Sequence, residues 1–171
     1  MNIMLDLETM GNNSNSAMIA IGAVAFDNNN VTDEFYAEIN LTSAMRQGGF
    51  IDGSTVMWWL KQSKEARGAF DNNDNAPHLM DALHKFSEWC KKVNVNEVWG
   101  NGAMFDNVIL GNAYKNSGLD IPWKFWNDMC YRTVKNMNKH IKLERVGTHH
   151  NAVDDAKSQA LHLIQILKAA K

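Results

Sequence analysis

Apolar and polar positions along the first forty residues follow the short periods of strands. Met1 to Leu5 is an apolar run that predicts a buried strand, with Asp6 delivered at its end. Gly11 to Ser16 is a polar turn rich in Asn and Ser. Ala17 to Phe26 (AMIAIGAVAF) is apolar and predicts a second strand. Asp27 to Asn30 turns the chain, and Val31 to Asn40 (VTDEFYAEIN) alternates as a third strand. Together these predict an antiparallel meander with one face wetter than the other.

The pattern then turns helical. Ser54 to Gln62 predicts a helix started by a serine or threonine cap, and Ser63 to Phe70 a second short one. Ala76 to Val93 carries Leu79, Leu83, Phe86, Trp89 and Cys90 on one stripe. Glu97 to Gly100 reads as a short strand. Met104 to Asn116 reads as a helix stopped near Gly118, and Tyr131 to His140 as another. Ala152 to Ala169 is the clearest helix, with Ala156, Ala160, Leu163, Ile164 and Leu167 on one face. Strands first, then helices alternating with strands, predict an α/β fold. Its mixed sheet is an antiparallel meander extended by parallel strands.

Composition changes this picture little. A chain of 171 residues is long enough for one domain with a real core. A net charge of −2 gives no global basic signal, so tight nonspecific binding to long nucleic acid is not implied. Cys90 and Cys130 have neither disulfide-framework nor metal-ligand spacing, and read as packed thiols. No stretch has the ~20 apolar residues of a membrane span, and the N-terminus has no signal-peptide pattern. The expected setting is cytoplasmic, with no membrane partner.

Three separated motifs carry the candidate chemistry. Asp6 and Glu8 lie two apart on a strand, so their side chains leave one face. Asp106 stands near a helix start, and Asp155 one turn into the last helix, five residues after His150. Alone, each has an ordinary reading: an exposed strand end, a helix cap, a surface histidine. Gathered in one pocket, four carboxylates would need divalent cations among them.

In order, the motifs are Asp6-x-Glu8, then Asn101-x-x-x-Phe105-Asp106, then His150-x-x-x-x-Asp155. This series resembles the DEDD exonucleases of the DnaQ-like, RNase H-like superfamily, in the subgroup with histidine (DEDDh). Further likeness to the phage-type exodeoxyribonuclease A proteins and related small bacterial exoribonucleases lies in several segments. These are Asp6-Leu7-Glu8-Thr9-Met10-Gly11, Ser54-Thr55 with Trp58-Trp59, Gln62-Ser63 with Glu65-Ala66-Arg67, and Phe125-Trp126-Asn127 with Arg132-Thr133. Two positions stay open between neighbours, His149 or His150 and Asp154 or Asp155. The motif count favours the second of each.

The resemblance implies one 3′-5′ exonuclease domain over residues 1–171 with an RNase H-like sheet. It implies two ions, Mg²⁺ or Mn²⁺, held by Asp6, Glu8, Asp106 and Asp155. Asp6 would bridge the ions, Glu8 and Asp155 would serve the one activating water, and Asp106 would act on the leaving-group side. His150 would accept the proton of that water. Thr9, Met10, Asn101 and Phe105 would flank the terminal nucleotide. One of Trp58 and Trp59 would line the cleft and the other pack inside. Arg132, in a basic segment with Lys135, Lys139, Lys142 and Arg145, would meet the phosphate backbone. The expected partner is a single-stranded 3′ end, DNA first and RNA as the alternative. A noncatalytic nucleic-acid-binding domain is the rival from another class, and short relatives suggest a homodimer.

Overall fold

Strand β1, Asn2–Thr9, is the centre of the molecule, described over residues 1–170 in a computed structural model. It pairs antiparallel with β2, Met18–Phe26, which pairs antiparallel with β3, Val31–Glu38. On its other edge β1 runs parallel to β4, Val98–Gly100, which runs parallel to β5, Asp128–Cys130. The sheet order is β3-β2-β1-β4-β5. A meander extended by parallel strands is thus the architecture, as the element order predicts.

Helices cover both faces. Ile3, Leu5 and Leu7 enter the larger core with helices α3, Leu79–Lys92, and α4, Asp106–Asn116. Met4 points the other way, into a smaller core with helices α5, Tyr131–Met137, and α6, Ala152–Ala169. Strand alternation then places Asp6 and Glu8 on the α6 face. Every residue of β2 is buried, so the wetter face expected of the meander is confined to β3, whose burial alternates.

Several boundaries move, for identifiable reasons. β1 continues four residues past Leu5, because β2 supplies partners to Thr9; Asp6 lies opposite Gly22 and Glu8 opposite Ala20. Helix α1, Leu41–Arg46, is capped by the Asn40 side chain, which accepts from the Ser43 N–H. At six residues it is too short to show a helical period. Helix α2, Gly53–Trp59, takes Asp52 as its cap rather than a serine or threonine. The helix predicted over Ser63 to Phe70 reduces to one 3₁₀ turn, Gly68–Phe70. β5 has three residues and no alternation to detect. No helix is long and apolar enough to cross a membrane among the described residues.

Candidate active site

The site forms at the carboxyl ends of β1 and β4, where the chain leaves two neighbouring parallel strands in different directions. Asp6 and Glu8 come from inside β1. Asp106 comes from the first residue of α4, which follows β4. Ile3 N–H donates to the Glu97 carbonyl, so a continued ladder would next offer the Asn101 carbonyl to Leu7. β4 ends at Gly100 instead, and Leu7 N–H donates to Asp106 Oδ1 at 3.3 Å. The freed Asn101 carbonyl accepts Arg132 Nη2 at 2.5 Å. Gly100 makes this fold-back feasible: a Cβ there would lie 2.3 Å from Asn107 Oδ1 and 3.2 Å from Asp106 Oδ2.

Asp155 comes from α6, whose start presses on the sheet at Gly22, opposite Asp6. Carboxylate oxygens of Asp6, Glu8 and Asp155 all lie within 4.8 Å of one another. Asp106 stands beside this trio rather than within it. It is close enough to raise the pKa of both Asp6 and Glu8. The four carboxylates of the three motifs are therefore gathered, with three converging and the fourth adjacent.

The pair of adjacent acids is resolved by hydrogen bonding. Asp154 Oδ2 accepts the Thr148 N–H at 2.7 Å and fixes the loop before α6. Asp155 faces the cluster, and its Oδ2 accepts the His150 N–H at 3.0 Å. His150 sits in the left-handed region, φ 64°, which aims its ring over the cleft against Trp58 at 5.0 Å between centroids. His149 stacks on it at 3.7 Å but is exposed. His150 and Glu8 line one cleft of about 310 Å³ with Tyr36, Glu38 and Glu65.

Burial and mutual repulsion distort the titration of the cluster. Burial first, then the charges of Asp106, Glu8 and Asp155, push Asp6 well above the carboxylate range. Glu8 is pushed up to about 8 by burial and then by Asp155 and Asp106. Asp106 rises to about 7 through burial, against the pull of backbone N–H groups that include Leu7. His150 is lowered, chiefly by burial and then by His149, which favours a neutral, proton-accepting ring.

The other sequence-predicted residues divide. Trp58 is 42% exposed and edges His150, whereas Trp59 is 3% exposed and donates its indole N–H to the Thr9 carbonyl at 3.0 Å. Trp58 is therefore the residue exposed beside His150 and Trp59 the packed one. Thr9 is buried, with its hydroxyl donated to the Gly11 carbonyl at 2.6 Å, where it ties the turn after β1. Met10 is buried beside Trp59 and Phe70 in a separate cleft of about 600 Å³. Phe105 packs against the larger core. The Asn101 side-chain Oδ1 is buried with no protein partner. Arg132 is exposed and holds the Asn101 loop.

Residues 1–167 match the family described as the 3′-5′ exoribonuclease Rv2179c-like domain. The chain belongs to this family. It is a 3′-5′ exonuclease. It is also 30% identical over 155 residues to the exodeoxyribonuclease of Enterobacteria phage T4, covering 75% of this chain and 68% of the phage protein. Among solved structures it resembles the nuclease domain of 3′hExo, a DEDDh family member bound to rAMP. The TM-score is 0.67 at 16% identity, over 98% of this chain and 92% of that one. It also resembles E. coli Exonuclease I in complex with a dA16 oligonucleotide, with TM-score 0.67 and 10% identity, over 98% of this chain but 40% of that one. The fold of the exonuclease is therefore the RNase H-like fold of the DEDDh enzymes. These comparisons lend no support to the expected homodimer.

The DEDDh fold implies a divalent metal, and the exonuclease has the donors for one. Asp6, Glu8 and Asp155 offer converging carboxylate oxygens, an all-oxygen set that suits a hard cation. Sequence reasoning missed Gln159, one helical turn after Asp155, whose Nε2 donates to Asp6 Oδ1 at 2.8 Å. Its position four residues after Asp155 was the available signal. It placed Arg145 only in the basic segment, whereas Arg145 Nη1 lies 2.6 Å from Asp155 Oδ1. It also passed over Gly22 and Gly100, whose importance rests on long-range contact.

Proposed function

We propose that this exonuclease removes nucleoside 5′-monophosphates from the 3′ end of single-stranded DNA, using two ions of Mg²⁺ or Mn²⁺. The observation that carries the reading is the convergence of Asp6, Glu8 and Asp155 beside Asp106, under the ring of His150. Asp6, Glu8 and Asp155 would hold metal, with Asp106 contributing from the flank. Bound divalent ions supply a water of lowered pKa and neutralise charge on the phosphate.

The protein's own residues do the rest. His150 accepts a proton at a ring nitrogen, and its lowered pKa keeps that nitrogen free near pH 7. The bond from the His150 backbone N–H to Asp155 fixes the loop at this residue, and the Trp58 edge contact braces the ring. The exposed face of Trp58 offers a stacking surface to a base at the 3′ end. Arg132 places positive charge beside Asp106 and holds the Asn101 loop. Gln159 fixes the orientation of Asp6.

The preference for DNA rests on the phage relative, and RNA is the second reading because the matched family is described as exoribonuclease. A 5′-labelled DNA and an RNA of the same sequence, each with Mg²⁺, Mn²⁺ or chelator, distinguish them. The expected result is a metal-dependent ladder shortening from the 3′ end, faster on DNA. Faster shortening of RNA selects the second reading. Intact substrates of both kinds with either metal would refute the catalytic assignment.

A further inference from the structure

Asp155 is asked to serve two cations. Its Oδ1 is 2.6 Å from Arg145 Nη1, and its Oδ2 accepts the His150 N–H. The same carboxylate contributes to the oxygen trio with Asp6 and Glu8. A divalent ion bound by that trio and the guanidinium of Arg145 therefore contend for one carboxylate. Both are positive, so close simultaneous occupancy is opposed by like-charge repulsion as well as by geometry.

The backbone around Arg145 is fixed, while its side chain is not. His162 Nε2 meets the Ile141 carbonyl at 3.0 Å, and Val146 N–H donates to Ser158 Oγ at 3.0 Å. Both anchors are on α6, the helix that carries Asp155. The Arg145 side chain between them is 49% exposed and has a single ion-pair partner. A change of partner thus needs only rotation about the side chain, with no loop rearrangement. The new partner must be anionic, within reach of Asp155, and present when the ion is bound. The phosphate of a nucleic-acid strand at the site meets all three conditions, and guanidinium binds phosphate through two parallel N–H bonds.

We propose that Arg145 is an exchanging residue: it competes with the divalent ion for Asp155 and, once displaced, binds a phosphate of the substrate strand. Metal and nucleic acid then favour one another's binding, because each draws Arg145 off Asp155 or away from it. The proposal rests on Asp155 being a metal ligand. Its role is to position and to select loading order; the proton transfer is left to His150.

The test measures metal binding without turnover. Mn²⁺ is titrated calorimetrically into the full chain in the absence of nucleic acid, for wild type and the variants R145Q, K142Q and D155N. Lys142 lies on the same segment and is exposed, so K142Q reports the loss of a nearby charge without loss of the Asp155 contact. R145Q is expected to bind Mn²⁺ about fivefold more tightly, the change a half-exposed ion pair sustains. K142Q is expected to match wild type. Affinity for a fluorescent single-stranded DNA in Ca²⁺ is measured beside it, and R145Q should bind that strand at least fivefold more weakly. Equal or weaker Mn²⁺ binding by R145Q overturns the competition. An equal gain in K142Q overturns it too, because a general field would then suffice. Unchanged strand affinity in R145Q overturns the phosphate contact. Full Mn²⁺ binding by D155N would instead sink the metal-ligand assignment on which the proposal stands. Thermal melts of each variant separate these outcomes from loss of fold, and R145K, which keeps the charge, should fall between wild type and R145Q.

Discussion

Replacing Gly22 by alanine would add one methyl group at the point where α6 meets the sheet. The new Cβ would stand 2.1 Å from the Ala152 carbonyl carbon, 2.3 Å from the Val153 nitrogen and 2.4 Å from the Ala152 oxygen. Ordinary contact begins near 3.4 Å, so the helix start must retreat by more than 1 Å. These neighbours are backbone atoms, and no side-chain rotation relieves them. Gly22 lies opposite Asp6 in the strand register, while Ala152 is three residues from Asp155 and two from His150. The retreat therefore separates Asp155 from Asp6 and Glu8 and moves the His150 ring. Overpacking of this kind costs roughly 1–3 kcal/mol of stability. A misplacement of ~1 Å among reacting groups costs roughly 10²-fold in rate. The assay is kcat on a labelled single strand with saturating Mn²⁺, with a thermal melt on the same preparation. Gly111→Ala is the control, because a Cβ there meets only Ile121 Cδ1 at an ordinary 3.5 Å. That variant should keep its activity and lose no stability. Wild-type kcat and Tm in Gly22→Ala would show that α6 does not need this close approach, and the account of how the site is assembled would fail.

Three further outcomes follow from the same geometry. Glu8 rises from 4.5 to about 8 and Asp106 from 3.8 to about 7, so the fold holds protons that the unfolded chain has released. Their contribution is fully present below the unfolded values and is lost as pH rises through about 7 to 8. The melting temperature without divalent metal should therefore fall between about pH 5 and pH 8, by roughly 2–4 °C per kcal/mol lost, and Mn²⁺ should flatten the fall. A metal-independent melt that is flat over this range would contradict the crowded-carboxylate picture. Trp59→Ala should cost roughly 3–5 kcal/mol in chemical denaturation, because Trp59 is core, whereas Trp58→Ala should leave stability nearly unchanged and raise KM for a short single strand. The reverse ranking would refute the assignment of Trp58 to the substrate side and Trp59 to the core. Asp154→Ala should lower kcat roughly tenfold by loosening the Thr148 loop while leaving Mn²⁺ affinity at the wild-type value; loss of Mn²⁺ binding would mean that Asp154, not Asp155, is the ligand.

Much of this molecule is legible in one dimension. The three strands of the meander are long apolar or alternating runs, and α6 shows a full helical stripe over eighteen residues, so periodicity alone finds them. The pairing of Asp6 with Glu8 on one face follows from strand geometry, and the five-residue step from His150 to Asp155 marks the loop-to-helix junction. Short elements escape this reading. β5 and α1 are shorter than the window in which a period can be recognised, and each exists because a partner supplies its hydrogen bonds: β4 for the one, the Asn40 side chain for the other.

Which chemical groups are available, and which neighbours along the chain share a face, can be read in one dimension. Every choice between adjacent residues stays open there, because consecutive positions on a helix or loop point in different directions for reasons that lie elsewhere. Trp58 is left exposed against His150 because the Thr9 carbonyl takes the indole of Trp59. Asp155 faces the carboxylates because Thr148 takes Asp154. Asp106 reaches β1 because β4 stops at Gly100 and leaves the Leu7 N–H without a strand partner. Those are long-range events, set by packing and by the need to pair buried polar groups. They exist only in the folded chain, and with them go how closely the four carboxyl groups stand and which cation reaches Asp155.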